Sequence, residues 1–507
     1  MVTPKEVSHI LHDIASGRLA PTNEVTIGAT LTRESTKIFE NLGIWDVTKR
    51  IQWLSYLDSL LTVNRDVICQ TLAEEKHCSE HAALIGEYFP VRMLMRYYLK
   101  TAKKVLRDEN RSSLFSLNFS SKRAIIRKEP LGVVGIITPF NSPFAIPMGP
   151  IVSALLGGNA VLWKPAEETP KTNDLIQAFI IDSFARMSAL SSRPFKMLSS
   201  GGKEYGEALV KCSQVDKIHF TGSVEAGRAI IKANAEARFT PPTLELGGSN
   251  AAIVLEDANL DLAAEVISFG RFSGLNCNSI KRVFAVQLIY QELLKRLKRN
   301  LPLAEHEGVH TFLPRERGNF YRFLGKEAER YKQDQKENDS PEIGPYIVAI
   351  EHYDASLPIL SEETFCPILP VVLVASRAQA IRCANDSKFG LGASVFTQDV
   401  KRFREVASQL QCGGVYHNDA LTEFAQPQLP FGGTKNSGWG YTHGKEGLLD
   451  FVRLKPVVEE RKILVTLTRT LGKLFGIQYL DKLQLYPWSQ AKMSWLKRLI
   501  RAIIKLS

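Results

Sequence analysis

Apolar positions recur at helical spacing through "IWDVTKRIQWLSYLDSLLTV" (44–63) and "FPVRMLMRYYLKTAKKVL" (89–106), which predicts a helical stretch over residues 35–110. From about residue 120 the pattern changes. Short apolar runs, "GVVGIIT" (132–138), "NAVLWKP" (159–165), "FKMLSS" (195–200) and "KIHFTGS" (217–223), read as buried strands. Between them, "KTNDLIQAFIIDSFARMSAL" (171–190) and "KEYGEALVKC" (203–212) keep a helical period. A second such block contains "NAAIVL" (250–255), "RVFAVQLIY" (282–290), "PVVLVAS" (370–376), "GASVFTQ" (392–398) and "GGVYHN" (413–418). Strand alternating with helix predicts parallel, doubly wound sheets, hence two α/β domains with a boundary near residue 245. The segment "YKQDQKENDSPEIGP" (331–345) is polar and turn-rich, and reads as a surface loop.

Composition narrows the class. A chain of 507 residues exceeds what one core serves, and 44% hydrophobic with 23% charged residues is ordinary for a soluble globular protein. Seven cysteines (Cys69, Cys78, Cys212, Cys277, Cys366, Cys383, Cys412) form an odd, scattered set without a C-x-x-C pair. That set argues against a disulfide framework or a zinc site, so no metal is expected, and for a reducing compartment. The N-terminus lacks an apolar signal core, and no apolar run is long enough to span a bilayer, so the expected location is cytoplasmic.

The net charge of +11 is uneven: residues 461–507 hold ten Lys/Arg against one acid, Asp481, which leaves the rest near neutrality. A basic tail on a near-neutral body does not indicate nucleic acid. In "MSWLKRLIRAIIKLS" (493–507), Trp495, Leu496, Leu499, Ile500, Ile503 and Ile504 share one helical face, and Lys497, Arg498, Arg501 and Lys505 occupy much of the other. Two readings stand side by side: an interfacial helix on an anionic membrane surface, and a stripe packed on the protein itself or on a partner subunit.

Five segments carry candidate chemistry. "TPFNSPF" (138–144) follows a strand, and its prolines restrict the backbone around Asn141. "LWKPAEETP" (162–170) ends a strand with Lys164 and Glu167 three residues apart. "HFTGSVEAGRAI" (219–230) is strand, turn and helix, giving a helix N-terminus suited to a phosphate group. "LELGGSNAAIVL" (244–255) sets Glu245 before a Gly-Gly pair that implies close backbone approach. "FSGLNCNSIKRVFAV" (272–286) holds Cys277. Taken singly each has a plainer reading: Cys277 as a small buried residue, Asn141 in a turn, Glu245 on the surface, Lys164 with Glu167 as a weak ion pair.

Taken together and in this order, the segments resemble the NAD(P)-dependent aldehyde dehydrogenase superfamily from about residue 30 to 460. "EETFCP" (362–367), "FGLGASVF" (389–396), "GGVYHND" (413–419) and "LPFGGTKNSGWG" (429–440) fit as well. The resemblance implies an α/β fold of two Rossmann-like domains, coenzyme-binding and catalytic, with a small β oligomerisation arm. It implies an N-terminal helical part (1–117), an arm (118–128), a coenzyme-binding domain (129–245), a catalytic domain (246–440), a return segment and oligomerisation strand (441–460), and the tail (461–507).

By the same resemblance Cys277 is the nucleophile, Glu245 the general base, and the Asn141 amide with the Cys277 N–H the oxyanion donors. Thr138, Pro139, Phe140, Gly202, Gly206, Phe220, Gly222, Ser223 and Leu246 match positions around the cofactor. Lys164 and Glu167 match residues on the adenine ribose, Glu363 the nicotinamide ribose, and Phe365 the aromatic beside the nicotinamide. A carboxylate at 167 accepts from a 2′-OH and repels a 2′-phosphate, so NAD is expected over NADP. The expected reaction oxidises an aldehyde to a carboxylic acid through a thiohemiacetal and thioester, with a lipophilic aldehyde as the first substrate class. A homodimer or homotetramer is implied, with "NFSSKRAIIRK" (118–128) and "FVRLKPVVEE" (451–460) building an intersubunit sheet.

The chain departs from the family pattern at Gly274-Leu275 before the cysteine, at Ser249 after the Gly-Gly pair, in a shortened Asp261–Cys277 segment, and across 291–350. Two alternatives stay open: a semialdehyde or CoA-acylating relative, and a degenerate member that binds nucleotide without oxidising aldehydes.

Overall fold

The computed structural model describes residues 46–111, 122–187, 194–198, 202–274, 276–306, 322–323, 345–460 and Arg501. The N-terminal segment before residue 46, the stretch 331–344 and the basic tail, Arg501 apart, lie outside the described residues.

The chain divides into two units: Met1–Leu106 with Pro130–Val452, and Arg107–Glu129 with Arg453–Ser507. The smaller carries a three-stranded sheet in the order Glu109–Asn110, Lys122–Pro130, Val452–Glu460. Glu129 pairs there with Arg453 at 3.2 Å and Lys455 at 3.1 Å. Leu454 and Val458 leave apolar side chains exposed on the last strand. That strand begins at Val452, one residue after the expected Phe451, whose side chain is buried in a core of the larger unit.

The larger unit contains two six-stranded sheets. The first uses β1 (Val133–Ile137), β2 (Ala160–Lys164), β3 (Phe195–Met197), β4 (Lys217–Thr221) and β5 (Thr243–Glu245). The second uses β6 (Asn250–Val254), β7 (Ile280–Val286), β8 (Tyr346–Ile350), β9 (Ile368–Val374), β10 (Gly392–Phe396) and β11 (Gly414–His417), and a short β12 (Gly438–Trp439) returns to the first. The first sheet runs β12-β5-β4-β1-β2-β3, parallel except where β12 meets β5. The second runs β8-β9-β7-β6-β10-β11, parallel throughout.

The central strands form because each is an apolar run with helices on both faces. In β1 all five residues are buried: Val134 and Ile136 join a core with Trp53, Leu57 and Trp163, and Val133 and Ile137 one with Leu162, Ile218 and Leu244. That is the period of two expected of a sheet covered on both sides. The second sheet has its own core, including Ile253, Phe284, Val371 and Phe396.

One sequence-based expectation fails in part. The run 282–290 was expected to be one strand, but β7 spans Ile280–Val286 and a helix begins at Tyr290. Ile289 N bonds Val286 O at 3.0 Å, turning the chain, and Tyr290 O–H reaches back to Val371 O at 3.3 Å. The apolar residues of "LIY" thus serve a turn and a helix start, which periodicity alone does not separate from a strand.

Candidate active site

The parallel strands of the first sheet end on one edge, and the cofactor residues expected from the sequence lie along it. Thr138, Pro139 and Phe140 follow β1, Lys164 closes β2, Phe220 lies near the end of β4 before Gly222 and Ser223, and Leu246 follows Glu245 at the end of β5. The order β3-β2-β1-β4-β5 reverses at β1, so the crevice beyond β1 and β4 is the switch point where open α/β sheets take ligands.

Both ends of the β1 loop are fastened. Trp163 Nε1 donates to Thr138 Oγ1 at 2.9 Å, and Thr138 N donates to Lys164 O at 3.2 Å. At the far end the buried carboxylate of Glu87 accepts from Phe144 N at 3.3 Å and Ala145 N at 2.9 Å, and it pairs with Lys76. Asn141 sits between these anchors, partly buried, on the sheet edge two strands from Glu245.

On β2, Lys164 Nζ lies 3.8 Å from Glu167 Oε1, and burial lowers the ammonium's pKa below the usual lysine value. The helix Gly202–Lys211 begins beside that carboxylate: a Cβ on Gly202 would lie 3.6 Å from Glu167 Oε1. One turn later, Gly206 faces Ile137. After β4, the helix α1 (Val224–Ala237) is capped by Ser223, whose hydroxyl accepts from Ala226 N at 3.2 Å, and the Phe220 ring packs under Gly222. A carboxylate, an ammonium and a helix N-terminus on one sheet edge suit the ribose hydroxyls and phosphates of a nicotinamide dinucleotide.

The reactive end is built where the chain crosses from the first sheet to the second. Cys277 lies partly buried between the helix α2 (Leu260–Phe272) and β7. Its carbonyl packs so closely on Gly248 that a Cβ there would lie 2.6 Å away. A Cβ on Gly247 would overlap the Glu363 carboxylate, and Gly248 N donates to Glu363 Oε1 at 2.8 Å. Only glycines let the segment after Glu245 meet both the cysteine loop and the Glu363 loop.

Electrostatics follow from that crowding. Burial pushes the Cys277 thiol up to about 12, Lys281 opposes the shift, and Glu363, Glu245 and Glu423 add to it. Glu245 is buried, and neither carboxyl oxygen has a hydrogen-bond partner among the described residues. Burial, and then Asp450, raise that carboxyl well above the ordinary range. The structure thus brings Cys277, Glu245 and Glu363 into one electrostatic cluster, with the Phe365 ring beneath the Lys281 ammonium at 4.6 Å.

Several buried polar residues around this cluster were not expected from the sequence. Lys281 Nζ donates to Gly248 O at 2.7 Å, Glu363 Oε1 at 2.8 Å and Cys277 O at 2.9 Å. Arg271 donates to Ile368 O at 2.8 Å, to Thr364 O at 3.2 Å and to Cys366 O, fixing the loop of Glu363 and Phe365. Arg282 donates to Ser249 O at 2.9 Å and Ala384 O at 3.2 Å. Lys281 and Arg282 stand in "IKRVFAV", a strand buried along its whole length, and two cations inside such a run are the signal that marks them. Cys366 is buried with its carbonyl on Arg271. Among the described residues, no group of three or more His, Cys, Asp or Glu is arranged for a metal ion, and no helix is long and apolar enough to cross a membrane.

Comparison with known proteins agrees with this architecture. Residues 22–305 and 324–457 match the aldehyde dehydrogenase family. The 4,4'-diapolycopene aldehyde oxidase of Methylomonas sp is 33% identical over 450 residues, covering 86% of this chain and 82% of that protein. The Mycobacterium tuberculosis aldehyde dehydrogenase complexed with NAD+ aligns over 82% of this chain and 86% of its own, with 28% identity and a TM-score of 0.72. The NADP-dependent glyceraldehyde-3-phosphate dehydrogenase from Bacillus halodurans C-125, complexed with NADP, aligns over 86% and 92%, with 27% identity and a TM-score of 0.75. With the family matched over most of its length and neighbours carrying one or the other nicotinamide cofactor, the chain belongs to the aldehyde dehydrogenase family of NAD(P)-dependent oxidoreductases acting on aldehydes.

Proposed function

We propose that this protein oxidises a lipophilic aldehyde to its carboxylic acid with NAD, through a covalent intermediate on Cys277. The observation that carries the reading is the buried, unbonded Glu245 carboxyl in the electrostatic neighbourhood of Cys277.

The steps follow from the groups present. The Cys277 thiol gives up its proton to solvent, and Glu245, made more basic by burial, is kept free for the later water step. The sulfur attacks the carbonyl carbon, and the C=O π pair moves to oxygen. That oxyanion accepts from the Asn141 side-chain amide and the Cys277 N–H. A bound nicotinamide would supply the acceptor for the aldehydic hydrogen and its bonding pair, and loss of that hydride turns the adduct on Cys277 into a thioester. Glu245 then draws a proton from water; the water oxygen bonds the acyl carbon, the C–S bond breaks, and the sulfur leaves as thiolate. Lys164 and Glu167 would hold the adenine ribose, Glu363 the nicotinamide ribose, and Phe365 would flank the ring. Glu167 favours NAD, since a 2′-phosphate would meet its charge.

Two features support a lipophilic substrate. The relative from Methylomonas is named for a polyene aldehyde. The sequence 493–507 combines an apolar stripe with four cations, a pattern that suits an anionic membrane surface, where each basic residue contributes on the order of 1 kcal/mol. Association into dimers or tetramers is supported by the exposed Leu454 and Val458 on an edge strand of the smaller unit, since such an edge is a liability unless paired.

The test is a panel of straight-chain aldehydes from short to long, with NAD and NADP, on wild type and Cys277→Ala. kcat/KM should climb with chain length, and Cys277→Ala should bind NAD yet lose oxidation. A preference for short polar aldehydes would sink the substrate class, and near-normal turnover by Cys277→Ala the nucleophile. Co-sedimentation with anionic liposomes should be lost on truncation after Glu460; equal pelleting of both forms would remove the membrane role.

A further inference from the structure

We propose that Lys281 is a positioning residue for the oxidation: one buried ammonium that sets Cys277, the segment after Glu245, and Glu363 relative to one another. This rests on the reading of Cys277 as nucleophile and Glu363 as a cofactor residue.

A lysine has three N–H donors, and each here has an acceptor from a different part of the site. Gly248 O lies at 2.7 Å, Glu363 Oε1 at 2.8 Å and Cys277 O at 2.9 Å. The Phe365 ring closes the remaining side at 4.6 Å, so one cation touches the cysteine loop, the Gly-Gly segment and both functional residues of the 362–367 loop. The side chain is 1% exposed. An ammonium that deep is tolerated only with its charge paired and its donors satisfied, and Glu363 supplies the charge.

Two consequences follow. Glu363 Oε1 accepts from Lys281 Nζ and Gly248 N together, so its carboxylate is aimed by the lysine rather than left to rotate. The cation is also the charge that favours the Cys277 thiolate, against burial and the carboxylates Glu363, Glu245 and Glu423 that disfavour it. The lysine itself faces Glu363, Cys277 and the Arg271 cation, and burial lowers its own pKa while Glu363 raises it.

The experiment is the rate of Cys277 alkylation by iodoacetamide against pH, on full-length protein without turnover, with the modified peptide identified by mass spectrometry. NAD affinity is read in parallel by fluorescence quenching. Lys281→Met should slow alkylation at neutral pH by roughly tenfold, the effect of a shift of about one pKa unit, and weaken NAD binding severalfold. Glu363→Gln should do the reverse to the thiol and speed alkylation, while Lys281→Arg should recover much of the rate lost in Lys281→Met. Opposite signs at 281 and 363 are not what loss of packing would give. If Lys281→Met does not fold, as judged by circular dichroism, Lys281→Gln takes its place. A folded Lys281→Met or Lys281→Gln with wild-type alkylation profile and NAD affinity overturns the proposal, as does a Glu363→Gln whose alkylation is slowed. Alkylation that maps elsewhere, or persists in Cys277→Ala, instead refutes the nucleophile assignment on which the proposal rests.

Discussion

The side-chain amide of Asn278, the residue after Cys277, donates to Glu423 Oε1 at 2.9 Å. Glu423 is buried on the short 3-10 helix Thr422–Ala425, with the Tyr416 hydroxyl in its electrostatic neighbourhood. Burial raises that carboxyl above its usual range, with Asn278 opposing. This bond ties the cysteine loop to the loop after β11. Asn278→Ala leaves a buried acceptor without its amide, a loss of about 1–3 kcal/mol. We expect a lower Tm and a kcat reduced by roughly tenfold, the rate lost per 1.4 kcal/mol of misplacement, with NAD affinity unchanged. A variant with wild-type kcat would show that the bond does not position the thiol.

Glu245→Gln keeps the size of the side chain and removes the base. The thioester should still form once per site, giving a burst of NADH, and then wait for an unassisted water. The steady-state rate should fall by about 10²-fold or more, the usual contribution of a positioned general base. A steady state as fast as wild type, or the absence of a burst, would contradict a deacylating role for this carboxyl.

Glu167 offers a direct test of cofactor choice. Its carboxylate is half exposed beside Lys164 and the start of the Gly202–Lys211 helix, so a 2′-phosphate there would meet a negative charge. Glu167→Ser should raise kcat/KM for NADP by about tenfold, roughly 1.4 kcal/mol, and lower it for NAD, narrowing the gap. Measured ratios of the two cofactors decide it. A wild type that already uses both equally would refute the preference, and an unchanged ratio in the variant would remove Glu167 as its source.

The legibility of this protein divides along physical lines. A strand covered on both faces leaves an unbroken apolar run, so Val133–Ile137 and Asn250–Val254 stand out in the chain. Glu245 and Cys277 stand out through the resemblance of their segments to the family. Within that pattern the Gly247-Gly248 pair has a physical reason the structure shows, since a Cβ at either position would collide with Glu363 or the Cys277 carbonyl. Lys281, Glu87 and Glu423 are not legible in this way. Lys281 shows in the sequence only as a cation inside an apolar run, and only the fold shows that it ends among two carbonyls and a carboxylate 82 residues away. Glu87 likewise reads as one more polar residue between helices, yet it is 0% exposed and holds the loop that carries Asn141. Tertiary partners of buried charges are set by long-range packing, and no local period encodes them.

Two histidines give the fold a pH signature. His219, inside β4, is fully buried with neither ring nitrogen hydrogen-bonded among the described residues, and its ring packs 5.7 Å from Phe451. His443 is buried with its ring 4.7 Å from that of Phe424. Burial pulls both imidazoles down to about 4, against 6.5 for the free side chain. Between those values the folded protein keeps them neutral while the unfolded chain takes up their protons. Stability contributed by each is therefore present above 6.5 and lost as pH falls toward 4, by up to about 1.4 kcal/mol per pH unit. Glu245 and Glu423, whose folded carboxyls hold protons the unfolded chain has released, act in the opposite sense at the acid end of that window. The histidine share is isolated by comparing slopes rather than absolute stabilities. Urea melts from pH 7 to pH 5 should show a flatter decline for His219→Leu and for His443→Leu than for wild type, each by up to about 1 kcal/mol per pH unit. Parallel declines in all three proteins would mean that these rings titrate in the folded state as they do in the unfolded chain, and that their burial does not govern the acid limit of this fold.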